Sequence, residues 1–198
     1  MNRHSPTLKL TQAAMIAALA YIGFQFLRID IPVGSERTAF HLGNTFVVLG
    51  ALLLGRWGAV AGAVGLTVAD LTSGYATSAP KTFLLKLAIG FLAVLVSRRF
   101  YHIERETERK RQSLISLVSS ATALGCNVIL DPLAGYFYKT YIFGVPQDAS
   151  VILAKISSLA TLVNAVLSTV CVVILWTGIY MPMKRGGFLC WGESKKRK

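Results

Sequence analysis

Charged residues are scarce in this sequence, and acidic ones are the scarcest. Asp, Glu, Lys and Arg make up 15% of the 198 residues, and only nine of them are acidic. A soluble domain usually carries about 25% charged residues. This deficit, together with 54% hydrophobic residues, indicates a chain whose solvent is mostly lipid. The length suits one domain and not two.

The sequence also lacks the short motifs of common catalytic and cofactor sites. It contains no GxxxxGK[ST] loop for nucleotide phosphates, no HExxH and no GxSxG. Its three cysteines are an odd number without CxxC or Cys/His spacing, which argues against a disulfide framework and a zinc site. We therefore predict no catalytic residue, no cofactor and no metal site.

Apolar runs separated by short polar gaps are abundant. About 20 apolar residues are needed to cross a bilayer as a helix. The second and third runs are shorter, and we predict that they form a hairpin of two short helices packed through glycines. The first run is interpreted as a retained helix rather than a signal peptide. The prediction is an all-α integral membrane bundle of six transmembrane helices in one domain, 1–198, with spans at about 10–27, 40–54, 58–71, 81–100, 113–136 and 150–179.

The basic residues predict an orientation. If six spans alternate, 15 of the 21 lysines and arginines fall on the side that holds both termini. The positive-inside rule places that side, and hence both termini, in the cytoplasm. Most of these residues lie in gaps between apolar runs, where a membrane protein carries them, so we predict contact with membrane lipid and no binding to nucleic acid.

The few ionisable and amide side chains of the predicted spans fall mostly near their outer ends. Ionisable groups at membrane depth tend to face a cavity or a partner. Asn127 and Asp131 are four residues apart and share one helix face. The predicted substrate-binding residues are His41, Asn44, Asp70, Tyr75, Lys86, Asn127, Asp131 and Lys155. An alternative in which Asp131 pairs with Lys86 or Lys155 for packing alone stays open.

Several other polar residues are assigned structural roles. Lys81 is predicted to be an exposed charge at a helix end. Asn164 lies about 180° around the sixth helix from Lys155, so the two cannot share one narrow site. We assign Asn164, with Ser157 and Thr161, to a stripe of helix-packing contacts. Residues 28–39 are predicted to form a polar loop.

The middle of the chain resembles a known family. The residues that carry the resemblance are His41-Leu42-Gly43-Asn44, Leu53-Leu54-Gly55, Gly58, Gly62, Gly65, Ala69 to Ala76, Ala79-Pro80 and Lys86. They resemble the substrate-binding S components of energy-coupling factor (ECF) importers, in the riboflavin-type branch. Asn44 stands where many relatives have Asp, so the local charge of the site differs.

The resemblance implies a role in uptake at a prokaryotic plasma membrane. An S component binds a vitamin or similar solute from outside and docks on a transmembrane coupling subunit driven by two ATPases. Small residues recur at four-residue spacing in the first span. The resemblance implies that one of two alanine pairs docks the coupling subunit, either Ala13/Ala17 or Ala14/Ala18.

The ligand and two other functions stay open. Acidic and basic groups beside a tyrosine suit a pyrimidine precursor of thiamine or a pyridoxine-like compound better than a large flavin. A stand-alone carrier or channel is one alternative. A membrane-embedded enzyme using His41, Asp70 and Asp131 is the other.

Overall fold

Six α-helices and one β-hairpin make up the described part of this computed structural model, which covers residues 6–33, 36–186 and 188. The helices are α1 (Pro6–Gln25), α2 (Gly43–Leu54), α3 (Arg56–Thr72), α4 (Ala79–Val94), α5 (Arg109–Phe137) and α6 (Gln147–Arg185). Strands β1 (Arg28–Val33) and β2 (Glu36–His41) join α1 to α2. A 3-10 turn, Ala76–Ser78, precedes α4, and π-helical turns extend α4 over Leu95–Phe100 and α5 over Tyr138–Ile142.

Four helical segments in the described chain are long and apolar enough to cross a membrane: Pro6–Gln25, Ala76–Phe100, Arg109–Ile142 and Gln147–Arg185. They correspond to the first, fourth, fifth and sixth predicted spans, of which the first ends at Gln25 and not at residue 27. The second prediction corresponds to α2, an apolar helix of only 12 residues. The third corresponds to α3, which has 17 residues. These segments fit the predicted helical membrane protein.

Glycines hold α1, α2 and α3 close together. A Cβ atom at Gly58 would collide with the backbone carbonyl of Gly50, and one at Gly65 would collide with that of Ala17. A Cβ atom at Gly62 would lie 2.7 Å from the Cα atom of Val47. Such approaches let helix backbones pack by van der Waals contact where lipid provides no hydrophobic driving force. The predicted glycine-packed hairpin of α2 and α3 is confirmed.

The polar loop predicted over residues 28–39 is wrong, because residues 28–33 and 36–39 belong to the two paired strands. The strands pair antiparallel from Arg28 opposite His41 to Val33 opposite Glu36. Ile29, Ile31 and Val33 alternate with Arg28, Asp30 and Pro32 in β1, which is the period of a strand. Pro32 is tolerated because each strand of a two-stranded sheet has a free edge.

The hairpin lies at one end of the bundle, with the loops that follow α3 and α5; we call this the hairpin end. The arginine end is the opposite one, defined by Arg56, Arg98 and Arg109. There the Arg98 Nη2 atom donates to the Leu52 carbonyl at 3.1 Å, and the Arg109 Nη2 atom donates to the Thr177 carbonyl at 3.3 Å. The arginines thus satisfy carbonyls of α2 and α6.

We expect Gly58→Ala to lower the free energy of unfolding by about 1–3 kcal/mol, because the added methyl group forces α2 and α3 apart. The control is Gly125→Ala in α5, where a Cβ atom meets nothing within 4 Å. That change should be neutral or stabilise by up to about 1 kcal/mol. Unfolding of both variants in detergent micelles is the measurement, and equal stabilities would contradict the packing described.

Candidate functional site

A cavity of about 360 Å³ opens at the hairpin end. This volume lies at the small end of the range for ligand pockets, about 300–1,000 Å³. Its wall includes Phe24 at the end of α1, the end of β2, the first turn of α2, the last turns of α3 and the first turns of α4. The end of α5 and the first half of α6 complete it. Elements that are distant in sequence therefore converge on one space.

An ion pair stands in the cavity wall between α4 and α5. The Lys81 Nζ atom lies 2.9 Å from Asp131 Oδ1, and both side chains are largely buried. Thr161 Oγ1 donates to Asp131 Oδ2 at 3.0 Å, and Ser157 Oγ donates to the same oxygen at 3.4 Å. Asp131 thus joins three helices. The prediction of Lys81 as an exposed helix-end charge is wrong, and Asp131 pairs with neither Lys86 nor Lys155.

Two further charged residues line the cavity without such a pairing. Lys86 of α4 is 7% exposed and Asp70 of α3 is 4% exposed. The Thr82 hydroxyl lies beside the Asp70 carboxylate. Within the described part of the chain, neither Lys86 nor Asp70 belongs to an ion pair. Burial of a charge is costly unless an opposite charge compensates it, and the opposite charges of Asp70 and Lys86 attract each other in the cavity wall.

Three asparagines face the same space with different roles. Asn164 Nδ2 donates to the Ala39 carbonyl and its Oδ1 accepts from the His41 backbone N–H, both at 2.9 Å. It therefore fixes β2 against α6. Asn44 and Asn127 are each 2% exposed, and their Oδ1 atoms have no hydrogen-bond partner in the described structure.

Aromatic and charged groups form the rim. Arg28 lies over the rings of Phe24 and Tyr75, at 5.3 and 5.6 Å from their centroids. Asp30 accepts from the Tyr75 hydroxyl at 2.9 Å and pairs with Arg28 at 3.1 Å. The His41 ring lies 4.7 Å from that of Phe24, and its Nδ1 atom accepts from the Gly43 N–H at 3.2 Å. These contacts attach the β-hairpin to the α3–α4 loop.

Seven of the eight predicted site residues line the cavity, namely His41, Asn44, Asp70, Tyr75, Lys86, Asn127 and Asp131. Lys155 does not, because its side chain is exposed on the outer face of α6. Asn164, which we assigned to packing, lies in the wall with Ser157 and Thr161. The prediction that Lys155 and Asn164 cannot share a site agrees with this geometry, and it is Asn164, not Lys155, that lies in the cavity wall.

The two alanine pairs of α1 point in different directions. Ala13 is buried, and Ala17 packs against Gly65 of α3. Ala14 and Ala18 are exposed on the outer face of the helix. Only the Ala14/Ala18 pair is therefore open to another protein.

The comparisons with known proteins add a family to this geometry. The model of the family described as ECF-type riboflavin transporter, S component, matches residues 5–181. The chain belongs to this family. Members of this S-component family are vitamin transporters of the membrane and not enzymes. No curated protein and no solved structure is significantly similar to the chain.

The geometry of this S component also gives little support to the alternative of a membrane-embedded enzyme. His41 Nδ1 is occupied by the Gly43 N–H, and Asp131 is occupied by Lys81 and Thr161. Among the described residues, no three His, Cys, Asp or Glu side chains come together as a group able to hold a metal ion.

The Lys81–Asp131 pair should contribute coupling energy to the fold. We expect Lys81→Met and Asp131→Asn each to destabilise the protein, because each leaves a largely buried charge without its partner. The double variant should lose less than the sum of the two, by about 1–3 kcal/mol. The measurement is a double-mutant cycle from unfolding in detergent, and additive effects would show that the pair is not coupled.

Proposed function

We propose that this chain is the substrate-capture subunit of an ECF-type importer. It binds a small vitamin or vitamin precursor at the hairpin end and delivers it through a transmembrane coupling subunit driven by two ATPases. The observation that carries the proposal is the polar cavity: seven predicted site residues, from five elements and the α3–α4 loop, line one solute-sized space in a chain of the S-component family. The substrate-binding role of those seven residues is part of this proposal.

The proposed orientation places the arginine end in the cytoplasm and the hairpin end outside. Arg56, Arg98 and Arg109 lie at the same end of the bundle, opposite the cavity. The positive-inside rule favours the cytoplasm for such an end. The cavity then faces the external medium of a prokaryotic cell, where a vitamin must be captured, and both termini lie in the cytoplasm.

All six helices cross the membrane in this proposal, including the short α2. At 1.5 Å per residue, 12 residues rise about 18 Å and 17 residues rise about 26 Å, against an apolar layer of about 30 Å. The first turn of α2 therefore begins inside the bundle, where Asn44 is buried. Neighbouring helices cover α2, so its short length does not expose backbone groups to lipid.

The Ala14/Ala18 face of α1 is the proposed docking surface for the coupling subunit. Two small side chains four residues apart let a partner helix approach the α1 backbone closely. The Ala13/Ala17 pair is unsuited to this role, because Ala13 is buried and Ala17 already packs against Gly65.

Affinity purification of the tagged chain from its native membrane tests this function. We expect one coupling subunit and two ATPases to co-purify, and a double variant, Ala14→Trp with Ala18→Trp, to lose most of all three because indole rings hold the partner helix away. The matched control is Leu159→Trp, an equally apolar change on the exposed face of α6.

The opposite outcome of that experiment is also informative. If the wild-type chain purifies without partners and takes up solute into liposomes alone, it is a self-sufficient carrier. If the alanine variant and the control retain the partners equally, α1 is not the docking helix.

A further inference from the structure

A second concave surface lies at the arginine end, away from the cavity. It is an open groove of about 670 Å³ between Arg56, the first residue of α3, and the last turns of α4 with its π-helical extension. Gly90 lets α3 and α4 meet closely beside it, because a Cβ atom there would lie 2.6 Å from the Cβ atom of Ala59. The groove begins one residue further along α4, at Phe91.

The floor of this groove is apolar. Phe91, Leu92, Val94 and Leu95 line it. Phe91 and Leu95 are four residues apart, so they lie on one face of α4, and both side chains are exposed in the described structure. In a bilayer, an exposed apolar face of this kind contacts lipid acyl chains, because the hydrocarbon core holds no water.

Three arginines line the same groove. Arg98 is already engaged, because its Nη2 atom donates to the Leu52 carbonyl and the Glu104 carboxylate attracts it. Arg56 and Arg99 are exposed, and neither belongs to an ion pair among the described residues. No acidic side chain is part of the groove lining. With Glu104 set against Arg98, two positive charges therefore remain at the groove.

Exposed aromatic side chains flank these two arginines in the sequence. Trp57 follows Arg56, Phe100 and Tyr101 follow Arg99, and all three rings are exposed. Trp and Tyr are enriched where a membrane meets water, at the level of the lipid head groups. This independent observation indicates that the two arginines lie at headgroup depth, with the apolar floor of the groove deeper in the bilayer.

We propose that the groove binds an anionic phospholipid, its phosphate on Arg56 and Arg99 and one acyl chain along Phe91 and Leu95. Arginine suits this role because its planar guanidinium presents a fork of donors to two phosphate oxygens. Basic pockets between membrane helices on the cytoplasmic side bind anionic head groups by the same chemistry. Placement in the cytoplasmic leaflet rests on the proposed orientation, whereas the binding itself does not.

Two features of the groove select this ligand. The apolar floor favours a lipid over a free phosphate, which has no chain to cover it. The two arginines favour an anionic lipid over phosphatidylcholine, whose choline cation cancels the charge of its phosphate. Each basic residue near a membrane surface is worth about a 5-fold preference for anionic lipid, so two arginines together are worth up to about 25-fold.

The test uses Trp57 as its reporter, because it is exposed and adjoins Arg56 in the sequence. The purified chain is reconstituted in vesicles of phosphatidylcholine with a rising fraction of phosphatidylglycerol. One lipid at a time carries brominated acyl chains, which quench a nearby tryptophan. Quenching that is absent from Trp57→Phe reports lipid at this position. We expect phosphatidylglycerol to bind there about 5- to 25-fold more strongly than phosphatidylcholine.

Two charge-removing variants locate the head group. Arg56→Gln and Arg99→Gln should each lower the preference for phosphatidylglycerol about 5-fold. Quenching by phosphatidylcholine should stay unchanged, which reports that the variants are folded and inserted. The matched control is Lys110→Gln, which removes an exposed charge from the same end of the bundle outside the groove lining. It should leave the preference unchanged.

Three results would overturn the proposal, and none of them bears on the importer function. The first is no preference for phosphatidylglycerol, or a preference that Lys110→Gln lowers as much as Arg56→Gln does, because diffuse surface attraction needs no groove. The second is displacement of the brominated phosphatidylglycerol by an equal concentration of glycerol phosphate, which indicates a free-phosphate site. The third is loss of the coupling subunit from Arg99→Gln with an unchanged lipid preference, which assigns the groove to a protein partner.

Discussion

The length of α2 is the constraint on which the cavity depends. Its 12 residues are flanked by Gly55 at the arginine end and by the β-hairpin at the other. Gly50 and Val47 are pressed against α3 so closely that the facing positions, Gly58 and Gly62, have no room for a Cβ atom. This contact holds α2 at the arginine-end side of the bundle. The helix therefore begins below the ends of its neighbours, and the space above Asn44 becomes the cavity.

A second interaction keeps that space open and polar. Lys81 of α4 and Ser157 and Thr161 of α6 all contact the Asp131 carboxylate of α5. This carboxylate therefore links three helices at the end of the bundle that the short α2 does not reach. Its neutralisation by Lys81 leaves Lys86, one and a half turns further along α4, as a separate charge facing the cavity. The Lys81–Asp131 pair is thus structural, whereas Lys86 and Asp70 belong to no ion pair among the described residues.

The sequence predicted much of the fold and seven of the residues that line the cavity, for physical reasons that can be named. Ionisable residues are so rare in apolar runs that those present point to a shared polar space, and Asp70, Lys86 and Asp131 do share it. It could not predict which ionic partner each residue takes, because that depends on how α4, α5 and α6 are rotated about their axes. Lys81 was misassigned for this reason, since end-of-helix lysines usually extend to water.

The β-hairpin and Asn164 were missed for a related reason. A six-residue alternation interrupted by Pro32 is a weak signal beside the apolar runs, and the hydrogen bonds that hold β2 come from Asn164, 123 residues away from His41. The spacing of Lys155 and Asn164 along α6 correctly predicted that they lie on different faces of the helix. Only packing against α2 and β2 decides which of the two faces points inward.

The two faces of α1 connect the cavity to the rest of the proposed importer. Ala13, Ala17, Ala20 and Phe24 follow one inward stripe that ends at the cavity rim, while Ala14 and Ala18 lie outward. Phe24 contacts His41 and Arg28 at the rim, and Ala17 packs against Gly65. A partner that binds the outward face would therefore contact the same helix whose last turn forms part of the cavity rim.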